Sequence, residues 1–228
     1  MYQPYVDALA DLFYPRRCAA CDRRSSDVLC RGCFEALPRI EGPRCGRCGM
    51  PTAFEVYVCN ACASVDFGFE SARAPLMYEG VGKEVVHALK YRGYRAIVER
   101  LMAPLMVATL EGESRFDAVV PVPLHRSRLR KRGFNQAEIM AKAVAKEINA
   151  PLSARMEAVR KTRDQVKLTA PQRKANVSGA FRAHEAVCGR VLLVDDVFTT
   201  GATMSECAKT LTQAGAAEVH ALSLCRTV

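Results

Sequence analysis

The sequence predicts an α/β chain in which a small cysteine-rich module precedes a parallel-sheet domain. Three observations carry that expectation. After residue 67, strand-like apolar runs alternate with helix-like segments, the pattern of a parallel sheet covered on both faces. Residues 191–203 read Val-Leu-Leu-Val-Asp-Asp-Val-Phe-Thr-Thr-Gly-Ala-Thr, an apolar run ending in paired carboxylates and a threonine/glycine turn. Cysteines spaced Cys-x-x-Cys recur four times before residue 63.

At 228 residues, half of them apolar and a quarter charged, the chain is expected to hold one mid-sized globular domain plus a small appendage. No run of 18 apolar residues occurs, so no membrane insertion is expected. Met1 to Phe13 contains Asp7 and Asp11 and lacks a basic head before an apolar core, unlike a signal peptide. Val6, Leu9, Ala10 and Phe13 fit a short amphipathic helix instead. The expected compartment is the cytoplasm.

Disulfides are rare there, so eleven cysteines need another explanation. Eight form the pairs Cys18/Cys21, Cys30/Cys33, Cys45/Cys48 and Cys59/Cys62. A two-residue gap lets both thiolates of a pair reach one tetrahedral ion, so four pairs suffice for two Zn²⁺ sites. Sequential pairing would join Cys18, Cys21, Cys30 and Cys33 at one ion and Cys45, Cys48, Cys59 and Cys62 at the other. A cross-braced arrangement is the alternative. Cys188, Cys207 and Cys225 read as buried small hydrophobes. The module is expected to span 1–66 and the large domain 67–228. Residues 1–70 carry 8 basic against 9 acidic side chains, and residues 71–228 carry 25 against 15, so the basic character belongs to the large domain. The module therefore reads as structural, or as a docking surface, rather than as a nucleic-acid binder.

Along the large domain, Ala72 to Tyr78 reads as a strand and Gly82 to Lys90 as a helix broken by Gly93. Arg95 to Leu110 reads as a second helix, kinked or split by Pro104. Asp117 to Val122 is an expected strand and Asn135 to Ile148 an expected helix. Val191 to Val194 is read as a buried parallel strand and Ala202 to Ala214 as the helix after it. His220 to Leu224 is expected to close the sheet.

Open α/β sheets bind ligands at the carboxyl ends of their strands. There, amides and hydroxyls over Thr199, Thr200, Gly201, Ala202 and Thr203, backed by a helix N-terminus, suit a phosphate monoester. Asp195 and Asp196 suit two vicinal hydroxyls, so the segment as a whole fits a sugar phosphate with a free diol. It resembles the phosphoribosyl pyrophosphate motif of type I phosphoribosyltransferases, which makes Asp195 and Asp196 the candidate catalytic pair. The Gly-x-x-x-x-Gly-Lys phosphate loop of common ATPases is absent.

Two basic segments accompany the motif. Leu124, His125, Arg126, Arg128, Arg130, Lys131 and Arg132 are read as a loop past a strand end, suited to pyrophosphate or a nucleic-acid backbone. Lys161, Thr162, Arg163 and Gln165 lie in a stretch without helical or strand period, read as a flexible lid. His125 is the histidine expected in the crevice; His87, His184 and His220 are expected to be structural.

Further short stretches match one family in order and spacing. They are Leu89-Lys90-Tyr91-Arg92-Gly93, Pro121-Val122-Pro123-Leu124, Arg132-Gly133-Phe134-Asn135-Gln136, Thr162-x-x-Gln165 and Arg173-x-x-Asn176-Val177. With the cysteine pairs and the Asp195–Thr203 segment, they resemble the ComF (ComFC) family over nearly the whole chain. That resemblance implies a double zinc ribbon followed by a parallel-sheet type I phosphoribosyltransferase-like domain. It also implies an accessory role in natural transformation, acting on incoming single-stranded DNA with a competence helicase and recombination proteins. Tyr91, Tyr94 and Phe134 among the cations suit stacking on unpaired bases. The alternative is a catalytically active phosphoribosyltransferase, in which Mg²⁺ accompanies phosphoribosyl pyrophosphate and ribose 5-phosphate passes to a small acceptor. A regulator that senses the same ligand is a third reading. No glutaminase half is expected, since residue 2 is Tyr.

Overall fold

The computed structural model describes residues 16–110, 112–113, 115–162 and 170–227. The expected N-terminal helix, and Arg163 and Gln165 of the expected lid, lie outside these. In chain order the elements begin with the short helices α1 (Arg31–Glu35) and α2 (Asn60–Ala63), strands β1 (Ser71–Arg73) and β2 (Leu76–Met77), and helix α3 (Gly80–Arg92). A π-helical turn (Val98–Met102) leads into α4 (Ala103–Ala108), followed by β3 (Ala118–Pro121), α5 (Arg126–Arg132) and α6 (Gln136–Glu147). Then come β4 (Met156–Ala158), α7 (Ala170–Val177), β5 (Phe181–Ala183), β6 (Gly189–Phe198), α8 (Ala202–Gln213) and β7 (Ala216–Arg226).

The main sheet has the order β1-β7-β6-β3, with β2 also on β7, and every pairing is parallel. Alternation along β6 assigns each side chain to a face. Val191 and Leu193 pack with Cys207 and Leu211 of α8, while Leu192 and Val194 pack with Met140 and Val144 of α6. This is the sheet covered on both faces that the sequence predicted.

Several local expectations need correction. The strand expected over 72–78 is split into β1 and β2 around Pro75, which has no N–H for the ladder. β7 lies inside the sheet, between β1 and β6, and does not close it. The basic segment expected as a loop forms α5: the His125 ring accepts a hydrogen bond from the Ser127 amide at 3.2 Å as its cap, and three cations occupy the last turn, where the helix dipole favours them. Residues 156–183 supply β4 and β5, an antiparallel pair absent from the sequence reading. Cys188 is exposed in the coil before β6, while Cys207 and Cys225 are buried as expected. The kink at Pro104 is a π turn: the Ala103 amide bonds to the Val98 carbonyl, and this wider turn accommodates the proline ring.

The cysteine module covers the open edge of the sheet. Arg39 bridges Leu76, the Ile40 amide donates to the Pro75 carbonyl at 2.8 Å, and the Ala72 amide donates to the Arg47 carbonyl at 2.7 Å. Backbone groups of an edge strand otherwise stand unpaired. The module also feeds both cores: Cys18, Ala19, Leu29 and Leu37 join one, and Cys45, Cys48 and Cys62 join the other. It is therefore packed as part of the body.

Candidate functional site

The eight cysteines of the four pairs form two clusters, Cys18/Cys21/Cys30/Cys33 and Cys45/Cys48/Cys59/Cys62, each with its four Sγ atoms within 4.8 Å of one another. Pairing is thus sequential rather than cross-braced. Four sulfurs about 2.3 Å from one tetrahedral Zn²⁺ stand roughly 3.8 Å apart. The Sγ–Sγ distances are 3.7 Å for Cys21–Cys30, 3.8 Å for Cys48–Cys59 and 3.9 Å for Cys45–Cys62. Each cluster fits one zinc ion, and the spacing is far beyond a disulfide. In each cluster one thiol is held below the ordinary cysteine range. Burial pushes Cys18 up, but the Cys21, Cys30 and Ala20 amides outweigh it and hold the group at about 6. The same balance, with amides of Cys48, Cys59 and Arg47, holds Cys45 at about 7.

A cavity of about 680 Å³ opens at the carboxyl ends of β3 and β6. Asp195 and Asp196 both line it, although β6 continues beyond them to Phe198 instead of ending at Val194. One Asp195 oxygen accepts the Asp196 amide at 2.8 Å. Burial first, and the Asp196 charge second, push Asp195 up to about 7 against the opposing pull of that amide and of Lys90. Asp196 Oδ2 lies 2.6 Å from Lys90 Nζ. Burial disfavours the ammonium, but Asp196 more than compensates and holds Lys90 above the ordinary lysine range.

The turn into α8 is made by Gly201, at φ +72. A Cβ there would come within 2.6 Å of the Phe198 ring and 2.8 Å of the Phe67 ring, so glycine is required by conformation and by space. Thr199, Gly201, Ala202 and Thr203 line the cavity in front of the α8 N-terminus. Thr200 is off this lining, and its hydroxyl is buried and unpartnered among the described residues.

The basic segment divides by helical face. Leu124, His125, Arg128 and Arg132 line the cavity, whereas Arg126, Arg130 and Lys131 are exposed outside it, because i,i+4 residues share a face of α5. Arg128 donates to the Thr162 carbonyl at 2.9 Å and to its hydroxyl at 3.3 Å, so Thr162 closes one side. Lys161 is exposed and off the lining.

Lys90, Gln136 and Arg160 were missed as site residues, although Lys90 and Gln136 lie in motifs already noted. Gln136 opens α6 behind the cap Asn135, whose side chain accepts the Ala137 amide at 3.1 Å. The Gln136 oxygen accepts from Arg132 at 2.6 Å. Its amide nitrogen, on a residue only 3% exposed, has no partner among the described residues, so the lining contains a buried donor without an acceptor. The Asn cap was the available signal for a helix N-terminus at this point. Tyr91 is 69% exposed at the rim, with the Arg132 guanidinium 5.6 Å from its ring centre. Of the other histidines, His220 is buried with its Nδ1 2.9 Å from the Ser71 hydroxyl, and His184 stands 3.6 Å from Glu157.

Compared with known proteins, residues 9–63 match the double zinc ribbon domain and residues 133–227 match the phosphoribosyl transferase domain. The chain is 32% identical over 209 residues to the DNA utilization protein YhgH of Escherichia coli K12, covering 88% of this chain and 91% of that protein. It is 27% identical over 228 residues to competence protein F of Haemophilus influenzae, covering 94% and 98%. To competence protein ComFC of Bacillus subtilis it is 25% identical over 217 residues, covering 90% and 86%. Among solved structures, UMP synthase of Leishmania donovani is similar over 59% of this chain and 22% of its own length, at 27% identity and a TM-score of 0.35.

Proposed function

Because this chain belongs to the ComF family of competence and DNA-utilization proteins, which joins a double zinc ribbon to a phosphoribosyltransferase-type domain, we propose that it binds phosphoribosyl pyrophosphate and handles single-stranded DNA entering the cytoplasm during natural transformation. We take 1–66 as the zinc module and 67–228 as the ligand-binding domain.

The carrying observation is that the paired acids, the glycine-turned helix start and the unpaired Gln136 donor share one cavity. In this reading the α8 N-terminus takes the 5′-phosphate, using amide donors and the helix dipole. Asp195 and Asp196 accept from the ribose hydroxyls. Arg128, Arg132 and the Gln136 amide take the pyrophosphate through charge-assisted hydrogen bonds. Asp195 and Asp196 would hold the ribose hydroxyls of a magnesium-bound ligand, and the ion would supply charge neutralisation at the pyrophosphate. Calorimetry with phosphoribosyl pyrophosphate and Mg²⁺ tests the pocket. Asp195→Asn with Asp196→Asn abolishes binding in a folded protein if the reading holds, and unchanged affinity sinks it.

The DNA part of the proposal draws on the exposed cations Arg126, Arg130 and Lys131 of α5 and on the exposed ring of Tyr91, over which Arg132 of the same helix lies, since cations follow phosphates while aromatic rings stack on bases. Partnership with a competence helicase and recombination proteins is proposed from the family. Fluorescence anisotropy of a labelled single strand across a salt series is the test. Tight, salt-sensitive binding supports this reading, and its absence in a zinc-loaded sample refutes it.

A second reading, transfer of ribose 5-phosphate to a small acceptor, is favoured by the Arg128–Thr162 contact, which screens the cavity from water on one side. Release of pyrophosphate with candidate acceptors distinguishes turnover from binding.

A further inference from the structure

Lys90 holds a position that the pocket reading leaves unexplained. It sits in the last turn of α3, whose apolar residues Val85, Val86, Ala88 and Leu89 are buried and whose end is fixed by Gly93 in the left-handed conformation. Its ammonium is 2.6 Å from Asp196, and the two side chains are only 17% and 14% exposed. The next residue, Tyr91, carries Arg132 over its ring. Lys90 thus lines the same cavity as the acid pair and as Arg128 and Arg132.

We infer that Lys90 is a specificity-determining residue: it pairs with Asp196 and releases it only to a sugar phosphate that carries an anion at C1. The inference rests on the assignment of this pocket to phosphoribosyl pyrophosphate. A ribose hydroxyl that takes the Asp196 Oδ2 acceptor, where Lys90 is held, displaces the ammonium. A displaced ammonium in a mostly buried position is costly unless another anion receives it. Pyrophosphate at C1, approaching the arginines, lies on the side toward which Lys90 can turn, and re-pairs the charge. Ribose 5-phosphate has the same diol and the same 5′-phosphate but no anion at C1, so it leaves the ammonium unpaired. Lys90 thus penalises ligands that lack the pyrophosphate and rewards those that carry it. Arginine at this position would retain the charge, while methionine keeps the length of the stem and removes it.

Calorimetric titration of the full zinc-loaded chain with phosphoribosyl pyrophosphate and with ribose 5-phosphate provides the test. Lys90→Met is expected to weaken phosphoribosyl pyrophosphate by about tenfold or more, as expected for the loss of a buried charge-assisted contact. Ribose 5-phosphate should hold its affinity or gain, so the preference collapses. Lys90→Arg is expected to retain most of it. Lys90→Gln serves as the uncharged variant if Lys90→Met does not fold. Equal weakening of both ligands in the uncharged variant overturns the inference, because a merely structural role would produce that result. Failure of both ligands to bind the wild-type protein overturns the pocket assignment itself, and the inference with it.

Discussion

Replacing Gly201 with alanine tests how the phosphate-binding turn is held. Two costs add at this residue. The first is conformational: at φ +72 a Cβ costs roughly 1–2 kcal/mol. The second is steric, since the new methyl meets the Phe198 ring at 2.6 Å and the Phe67 ring at 2.8 Å. Those rings cannot simply withdraw. Phe67 stacks on Phe69 with centroids 4.7 Å apart, Arg47 of the zinc module donates to the Phe67 carbonyl at 3.0 Å, and Arg226 lies over Phe198 at 5.3 Å while donating to the Cys48 carbonyl. Overpacking of such a site costs about 1–3 kcal/mol. Together the expected loss is about 2–5 kcal/mol, a large share of the roughly 5–15 kcal/mol typical of a folded domain. In urea unfolding this lowers the midpoint by about 1–2 M. Gly93→Ala is the control, because Gly93 has φ +68 but nothing within 4 Å of its Cβ. It should show the conformational cost alone, roughly 1–2 kcal/mol. Equal losses for the two variants, within about 0.5 kcal/mol, would refute the steric argument. Partial rescue of Gly201→Ala by Phe198→Leu would strengthen it.

Changing Cys45 and Cys48 to Ser should remove about one zinc per chain and destabilise the protein, since metal binding and folding are coupled; full metal retention by elemental analysis contradicts the two-site assignment. Asp195→Asn should raise stability at neutral pH. The folded group is pushed up to about 7 from an ordinary 3.8, so the native state binds the extra proton between those values and loses stability as pH rises through the window. The advantage of the variant in urea unfolding should therefore shrink from pH 7.5 to pH 5.5, and a constant difference would count against the raised carboxyl. Gln136→Met should cost about 1–3 kcal/mol of stability, because it removes the oxygen that accepts from Arg132, and should weaken phosphoribosyl pyrophosphate about tenfold by removing the nitrogen, which has no partner among the described residues. Undiminished binding in calorimetry would exclude that nitrogen as a ligand donor.

Legibility in the sequence follows distance along the chain. The cysteine pairs, the Asp195–Gly201 segment and the helix start at Asn135 were readable because their partners lie within a turn or two, where covalent spacing dictates geometry. α5 was misread as a loop because its only apolar residue is Leu129, and a helix without an apolar stripe leaves no period to detect. β4 and β5 are three residues each, too short for an alternation signal.

The sequence alone determined which chemical groups this protein holds: eight cysteine thiols in four Cys-x-x-Cys pairs, and an acid pair leading into a glycine turn. Spacing is enough there, since a Cys-x-x-Cys knuckle or a strand-to-helix turn closes locally. Only the tertiary structure decided which groups share the cavity and in what charge state. Lys90 reaches Asp196 through the packing of α3, Thr200 turns away from the cavity that Thr199 lines, and Arg226 ties the zinc module to the ring beside Gly201. Burial and pairing arise between elements far apart in the chain, and they set both the counter-ion of the acids and the protonation of Asp195.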